Sequence, residues 1–209
     1  PDPASADNVG AAQYRVTTDT LDIVLDARGG TIIDARLVDF PVSVDAPDVP
    51  FRLMSQRPSD YFILQSGLLG SDRDRTPTHE AVFSASAEHF VMTDDENGLV
   101  VDLVWRSDDG VQVTKRFTFT RGHHDIRLQH IVQNDSAAPW TARDYRQLQR
   151  GEQQDSGNFF MYTYTGGAIF SPQDKYQKYD FDDLGSGKLD RDVTDGWISM
   201  IQHYFLSAI

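Results

Sequence analysis

Between residues 98 and 133, polar and apolar side chains alternate with a period of two, and this pattern constrains the fold more than any other. One face carries Leu99, Val101, Leu103, Trp105, Val111, Val113, Phe117, Phe119, Ile126, Leu128, His130 and Val132. Breaks at Asp108-Asp109-Gly110 and Arg121-Gly122 contain residues that accept the left-handed backbone of tight turns. The pattern predicts consecutive antiparallel strands with one face toward water. With a further strand over 81–92, it predicts a four-stranded meander.

The same period of two marks a second hairpin nearer the N-terminus. Leu21, Ile23 and Leu25 share one face of a strand that ends at Arg28-Gly29-Gly30, and alternation resumes over 31–38. Glycine permits the positive φ of such a turn. The preceding residues 1–13 are small and polar without a period, which predicts a flexible lead-in. The expected domain therefore runs over 14–195 as an antiparallel, mainly-β fold.

Two segments carry helical patterns. Ser171-Pro172-Gln173-Asp174 offers a serine cap, a proline and a carboxylate, which predicts a short helix through Tyr179. Residues 196–209 are expected to form a C-terminal amphipathic helix, with Asp195 or Thr194 as its cap. Its apolar residues are Trp197, Ile198, Met200, Ile201, Tyr204, Phe205, Leu206, Ala208 and Ile209.

The apolar ending has two interpretations. The first is a helix that buries its stripe against the sandwich. The second takes account of Leu206 and Ile209, which fall outside the stripe and have no stop signal after them. They indicate that the natural chain continues toward a membrane or a partner.

Charge and cysteine content narrow the function classes. The 209 residues carry 19 Lys and Arg against 32 Asp and Glu, a net charge of −13, which disfavours binding to nucleic acid or anionic lipid. There is no cysteine, which excludes disulfides, thiolate metal sites and cysteine nucleophiles. The sequence has no phosphate-binding glycine motif, nucleophile elbow or zinc pair, so no cofactor or metal is predicted.

A few histidines and carboxylates could carry chemistry if a cleft brought them together. His79 and Glu80 could act as an acid and base pair, and His123 and His130 are further candidates. His123 and His124 are adjacent on a strand and point to opposite faces, so they do not suit one metal ion. His130 lies on the apolar face, where a hydrogen-bonded core histidine is the more common finding. The acidic pairs at the turns are typical of solvated residues that stabilise turns.

Several segments, taken in order, resemble the large periplasmic domain of the YidC family of bacterial membrane-protein insertases. They are LDARGG at 25–30, LQSGLLG at 64–70, TFTRG at 118–122, DSGNF at 155–159, GGAIFSPQDKYQKYDFDDL at 166–184 and the terminal GWISMIQHYFLSAI. The resemblance is collinear from about Tyr14 to Ile209. The aromatic ending together with the KYQKY segment is its most specific part.

This resemblance implies a β-supersandwich similar to galactose mutarotase, with a C-terminal helix that leads toward a transmembrane segment. It implies the periplasmic side of the inner membrane of a Gram-negative bacterium, as part of a multi-pass protein. The expected role is a non-catalytic interaction module that contacts SecD and SecF of the Sec translocon, loosely through residues 92–140, and assists client membrane proteins. The alternative is a carbohydrate-binding or mutarotase-like domain that uses His79, Glu80, His123 or His130 in a cleft.

Overall fold

The computed structural model describes residues 11–151, 164–185, 190–202 and 204–209, which form two units divided between Gln149 and Arg150. The strands up to the division are β1 (Gln13–Thr17), β2 (Leu21–Asp26), β3 (Thr31–Ser43), β4 (Ala46–Met54), β5 (Phe62–Leu69), β6 (His89–Val91), β7 (Gly98–Arg106), β8 (Val111–Thr120), β9 (Ile126–Asn134) and β10 (Arg143–Arg150). Those beyond it are β11 (Thr165–Ser171), β12 (Lys175–Tyr179), β13 (Trp197–Gln202) and β14 (Phe205–Ala208), with one helix, α1 (Phe181–Gly185). The mainly-β prediction is confirmed.

Two sequence-based expectations fall largely outside the described residues. The lead-in predicted for 1–13 is described only from Ala11, and β1 already begins at Gln13. The DSGNF segment at 155–159 lies wholly outside them.

The first unit contains two sheets. The seven-stranded sheet has the order β10-β5-β3-β2-β1-β6, and β4 pairs with β3 beside that path. The second sheet is β7-β8-β9, in which every strand is antiparallel to its neighbour. Their buried faces meet in an apolar core whose largest fully buried side chains include Phe62, Phe83, Phe117, Phe119, Ile23 and Leu25. Lys115 lies fully buried among them.

The predicted hairpins at the glycine turns are confirmed. β2 and β3 pair antiparallel around Gly29 and Gly30, whose φ angles are +74° and +58°. The turns of the β7-β8-β9 sheet use Gly110 at +101° and Gly122 at +75°. Each glycine holds the left-handed backbone that its turn requires.

The strand predicted over 81–92 was expected to pair with β7 as the fourth strand of the meander, and this pairing is wrong. Residues 89–91 form β6, and it pairs parallel with β1 at the edge of the seven-stranded sheet. Toward β7, the segment makes only a bridge from Ser84 to Val104. Asp94, Asp95 and their neighbours therefore join two different sheets and do not turn a hairpin between paired strands.

The second unit is a four-stranded sheet of order β12-β11-β13-β14 with the one-turn helix α1 after β12. Phe170 and Trp197 are cross-strand partners, and their rings stack with centroids 5.7 Å apart and planes inclined by 12°. Cross-strand aromatic pairs of this kind stabilise a sheet. All the strand pairs in this sheet are antiparallel.

The helix predicted from Ser171 through Tyr179 is wrong, although its capping bond exists. The Ser171 hydroxyl accepts a hydrogen bond from the Asp174 amide at 2.9 Å, as the capping motif requires. The turn then ends because Lys175 adopts a left-handed φ of +60°. The chain returns as β12 against β11, and helix α1 starts only at Phe181.

The C-terminal helix predicted for 196–209 is also wrong: residues 197–202 and 205–208 form β13 and β14, which pair antiparallel. Trp197–Gln202 pair with β11, and Ile201 pairs with Leu206 across the hairpin. Asp195, proposed as a helix cap, has a φ of +55° and lies before Gly196 at the strand entry. In WISMIQ, aromatic and β-branched residues also fit a period of two, and the open edge of β11 supplies the backbone partners that decide for a strand.

Two glycines permit a matched test of the turns. The Cβ of an alanine at Gly122 would meet no heavy atom within 4 Å. The substitution should therefore lower the free energy of unfolding only through the strain of the left-handed backbone, by about 1–2 kcal/mol. At Gly29, an added Cβ would lie 2.2 Å from the backbone oxygen of His79. We expect Gly29→Ala to reduce the free energy of unfolding by about 3 kcal/mol or more in urea titrations, well beyond Gly122→Ala. Equal losses in the two variants would contradict this packing.

Candidate functional site

An amine at the centre of the first unit is the most unusual polar group in the protein. Lys115 takes an inward position of β8 and is 0% exposed. Its Nζ donates to the Gly29 carbonyl at 2.5 Å, the Ser66 carbonyl at 2.7 Å and the Ser66 hydroxyl at 2.9 Å. Three acceptors match the three hydrogens of an ammonium group. The bonds join β8 to β5 and to the β2-β3 turn, and so connect the two sheets.

The surroundings of Lys115 act on its protonation in opposite directions. Burial lowers the pKa of Lys115 to about 7, and the negative charge of Asp144 opposes that change. The ring of Phe83, with its centroid 5.1 Å from Nζ, offers a favourable aromatic face. The side chain is closed to solvent, so this amine is a structural connection between sheets.

A histidine and a carboxylate lie beside this amine. His130 pairs with Lys115 across β8 and β9, and its Nδ1 is 3.1 Å from the Asp144 carboxylate on β10. Burial and then the positive charge of Lys115 lower the pKa of His130 to about 4, although Asp144 acts to raise it. His130 is therefore neutral near pH 7 and is held by a hydrogen bond, as a core histidine is.

A second histidine is fixed by a tyrosine of β10. The Tyr145 hydroxyl accepts the His79 amide hydrogen at 2.8 Å and lies 2.5 Å from His79 Nδ1. The ring reaches this place because Gly67 has no side chain, and a Cβ there would lie 2.5 Å from the same hydroxyl. Burial raises the pKa of Tyr145. Tyr145 therefore sets the position of both the backbone and the ring of His79.

Two open clefts lie beside the segment that contains His79 and Glu80. The smaller, of about 250 Å³, is lined by Asp26, Arg28, Thr31, Ile33, Gln56, Tyr61, Ile63, Gln65, His79 and Glu80. The larger, of about 730 Å³, lies between residues 72–78 and 105–109 and also includes Glu80 and Ala81. In the larger cleft, Arg75 pairs with Asp109 at 2.5 Å and donates to the Ser136 hydroxyl. Arg75 thereby connects the loop 72–78 to the β7-β8 turn at Asp109 and to the segment after β9 at Ser136.

The four histidine and carboxylate candidates do not converge on one site. His79 and Glu80 share the smaller cleft. His123 lies after β8 with its side chain 59% exposed and 3.2 Å from Asp125, and His130 is held beside Asp144. His123 and His130 are absent from the lining of both clefts. Of the four candidates, only His79 and Glu80 are thus found in the lining of the same cleft.

The described residues contain neither a clustered metal-ligand set nor a membrane-spanning helix. Within 11–151, 164–185, 190–202 and 204–209, no three His, Asp or Glu side chains gather as a set that could hold a metal ion. Over the same ranges, no helix is long and apolar enough to cross a membrane.

Lys115 was missed as a candidate, yet the sequence carried its signal. It occupies the inward register between Val113 and Phe117, where alternation predicts an apolar side chain. A charged residue at such a position predicts a buried, fully hydrogen-bonded group. Ser66 and Gly29 gave no comparable signal, because their carbonyls acquire this role only through tertiary packing.

Comparison with known proteins places these features in a family. The family model of the YidC periplasmic domain matches residues 13–209. The chain belongs to the YidC periplasmic domain family. The "Membrane protein insertase YidC" of Thioalkalivibrio sulfidiphilus is 44% identical over 202 residues, which cover 94% of this chain and 36% of that protein. The proteins of the same name from Methylococcus capsulatus and Alcanivorax borkumensis are 40% and 38% identical over 203 residues.

The chain spans about a third of the length of these YidC relatives. Two segments that carried the resemblance to YidC now have structural roles. LDARGG forms the end of β2 and the turn whose Gly29 carbonyl accepts the hydrogen bond from Lys115. KYQKY is strand β12 at one edge of the second unit.

The buried Lys115 amine makes the stability of this YidC domain depend on pH. Lys115 releases its proton near pH 7 in the folded state, whereas an unfolded lysine keeps it to about pH 10.5. Between these values the unfolded chain binds the additional proton, so stability rises with pH by up to about 1.4 kcal/mol per unit. We expect urea titrations from pH 7 to 10 to show this slope relative to Lys115→Met. Lys178→Met, at an exposed lysine, is the control, and parallel profiles for wild type and Lys115→Met would contradict the assignment.

His130, beside Lys115, should make stability depend on pH in the acidic range as well. An unfolded histidine binds a proton below about pH 6.5, whereas folded His130 binds it only near pH 4. The free energy of unfolding should therefore fall as the pH drops from 6.5 to 4. His130→Gln should remove that part of the loss, whereas His123→Gln, at an exposed position, should retain it. A wild-type curve that coincides with that of His130→Gln over this range would overturn the prediction.

Proposed function

We propose that this chain is a non-catalytic interaction module of a membrane-protein insertase. It lies on the periplasmic side of the bacterial inner membrane, where it contacts the Sec subunits SecD and SecF and assists the insertion of client membrane proteins. The observation that carries the proposal is the family match over residues 13–209, together with relatives that are each named as an insertase.

The interior supports a role without catalysis. Lys115 and Ser66 could form a nucleophile and base pair by distance alone, since Ser66 Oγ is 2.9 Å from Nζ. They are 0% and 1% exposed, so a substrate does not reach them. His130 is likewise held by Asp144. These groups serve the packing of the two sheets.

The outward face of the β7-β8-β9 sheet supports a role in recognition. It falls within residues 92–140, to which the family resemblance loosely assigns the Sec contact. Val100 and Ile131 are 49% and 42% exposed on this face. Between their rows, Arg116 donates two hydrogen bonds, at 2.8 and 2.7 Å, to Asp102. A regular surface with apolar positions around a bidentate ion pair is suited to burial against another protein.

A test introduces charge on this face within the full-length insertase. We expect Val100→Glu/Ile131→Glu to reduce co-purification of SecD and SecF at least about fivefold, because the carboxylates would be buried without partners. Client insertion should continue at a reduced rate in cells depleted of their own insertase. Val91→Glu, on β6 where the side chain is 60% exposed, is the matched control.

Two outcomes would oppose the proposal. Co-purification that equals wild type in the double variant would remove the assignment of this face. Loss of co-purification in Val91→Glu as well would indicate general damage, and the milder Val100→Ser/Ile131→Ser then provides the decisive comparison.

A further inference from the structure

The β3-β4 hairpin extends beyond the seven-stranded sheet. The pairing of β3 with β2 ends at Leu37, and the last backbone bond runs from the Val38 amide to the Thr20 carbonyl at 2.9 Å. From there to the turn, β3 and β4 pair with each other, with Ser43 opposite Ala46. We name residues 38–50 the projecting ribbon.

The ribbon exposes apolar side chains in a regular pattern. Val38, Phe40 and Val42 occupy alternate positions of β3 and are 41%, 42% and 55% exposed, and Val44 in the turn that follows is 94% exposed. On the returning strand, Val49 is 52% exposed. A group of exposed apolar residues at one place is characteristic of an interaction surface. The ring of Phe40 lies 5.6 Å from that of His124, which fixes the base of the ribbon to the β8-β9 turn.

The charge of the ribbon restricts what can bind it. It contains Asp39, Asp45 and Asp48 and no lysine, arginine or histidine. At its base, Arg36 and Arg52 both pair with Asp34, at 3.1 and 3.2 Å. Both arginines are thus held in ion pairs at the base, and the three ribbon carboxylates are exposed to solvent.

Prolines limit how the ribbon can be recognised. Pro41 and Pro50 are opposite each other, and Pro47 follows the turn. Proline lacks the amide hydrogen that a ladder requires, so an added β-strand would find gaps in the backbone donors. A partner must therefore bind through the valine side chains and the carboxylates beside them.

We propose that the projecting ribbon is a docking surface for a polypeptide whose apolar side chains are bordered by lysine or arginine. Such a partner buries the valines and neutralises the three aspartates. An anionic lipid surface would repel them, and a second copy would bring like charges together. The inference deepens the proposed interaction-module function and rests on it, but the ribbon is separate from the β7-β8-β9 face.

The test measures binding of the purified 209-residue chain to fluorescein-labelled peptides by anisotropy. The probe alternates valine and lysine, and its controls replace lysine by glutamate or valine by serine. We expect the valine-lysine peptide alone to bind, with an affinity that falls as salt increases. Val42→Ser/Val44→Ser and Asp39→Asn/Asp45→Asn should each weaken it by about tenfold or more. Val91→Ser and Asp94→Asn, exposed positions elsewhere, should leave it unchanged.

Each remaining outcome overturns the inference. No binding, equal binding by the serine-lysine peptide, or equal loss in the control variants would remove the ribbon as the site. Sedimentation with phosphatidylethanolamine and phosphatidylglycerol vesicles that depends on Val42 and Val44 would assign the ribbon to membrane. A dimer in sedimentation equilibrium that dissociates in the valine variant would assign it to self-association. SecD and SecF co-purification is measured separately, so failure here is distinguishable from failure of the proposed function.

Discussion

The three hydrogen bonds of the Lys115 amine constrain the arrangement of the first unit. An ammonium group without water requires acceptors at fixed positions, and the structure supplies them from β5 and from the β2-β3 turn. The left-handed backbone of Gly29 and Gly30 is part of this arrangement, since a Cβ at Gly30 would lie 3.2 Å from Lys115 Cδ. A buried charge of this kind adds little net stability, but it penalises every packing of the two sheets that leaves it unpaired.

The interior and the surface consequently have different chemistry. The Lys115 amine lies inside and is bound to Ser66 and to the Gly29 carbonyl, and His130 is held by Asp144. His79 and Glu80 line an open cleft instead, and His123 is exposed. The outward faces carry valines, isoleucine and exposed carboxylates, which are groups for recognition. Within the first unit, the buried polar connections join the two sheets.

Local sequence rules predicted the fold where a turn residue and an alternating run agreed, as at Gly29, Gly110 and Gly122. They failed where the deciding interaction came from a distant strand. Residues 197–202 satisfy a helical stripe and a strand equally well, and β11 selects the strand by offering an open edge. Ser171 makes its predicted capping bond, yet a left-handed Lys175 ends the turn. The position of His79 in its cleft was beyond prediction because Tyr145, which holds it, is 66 residues away in sequence.

The parallel pairing of β1 with β6 has a consequence for the order of folding. Arg15 pairs with His89, so the first strand lacks one neighbour until the chain has been made as far as residue 91. Lys115 lies later still, 86 residues beyond Gly29 and 49 beyond Ser66. When the chain is synthesised from its N-terminus, the strands from β1 through β5 can assemble early. The carbonyls of Gly29 and Ser66 then lack the Lys115 amine until β8 is available. Closure of such long loops is slow, so we expect the two sheets to lock together late in folding.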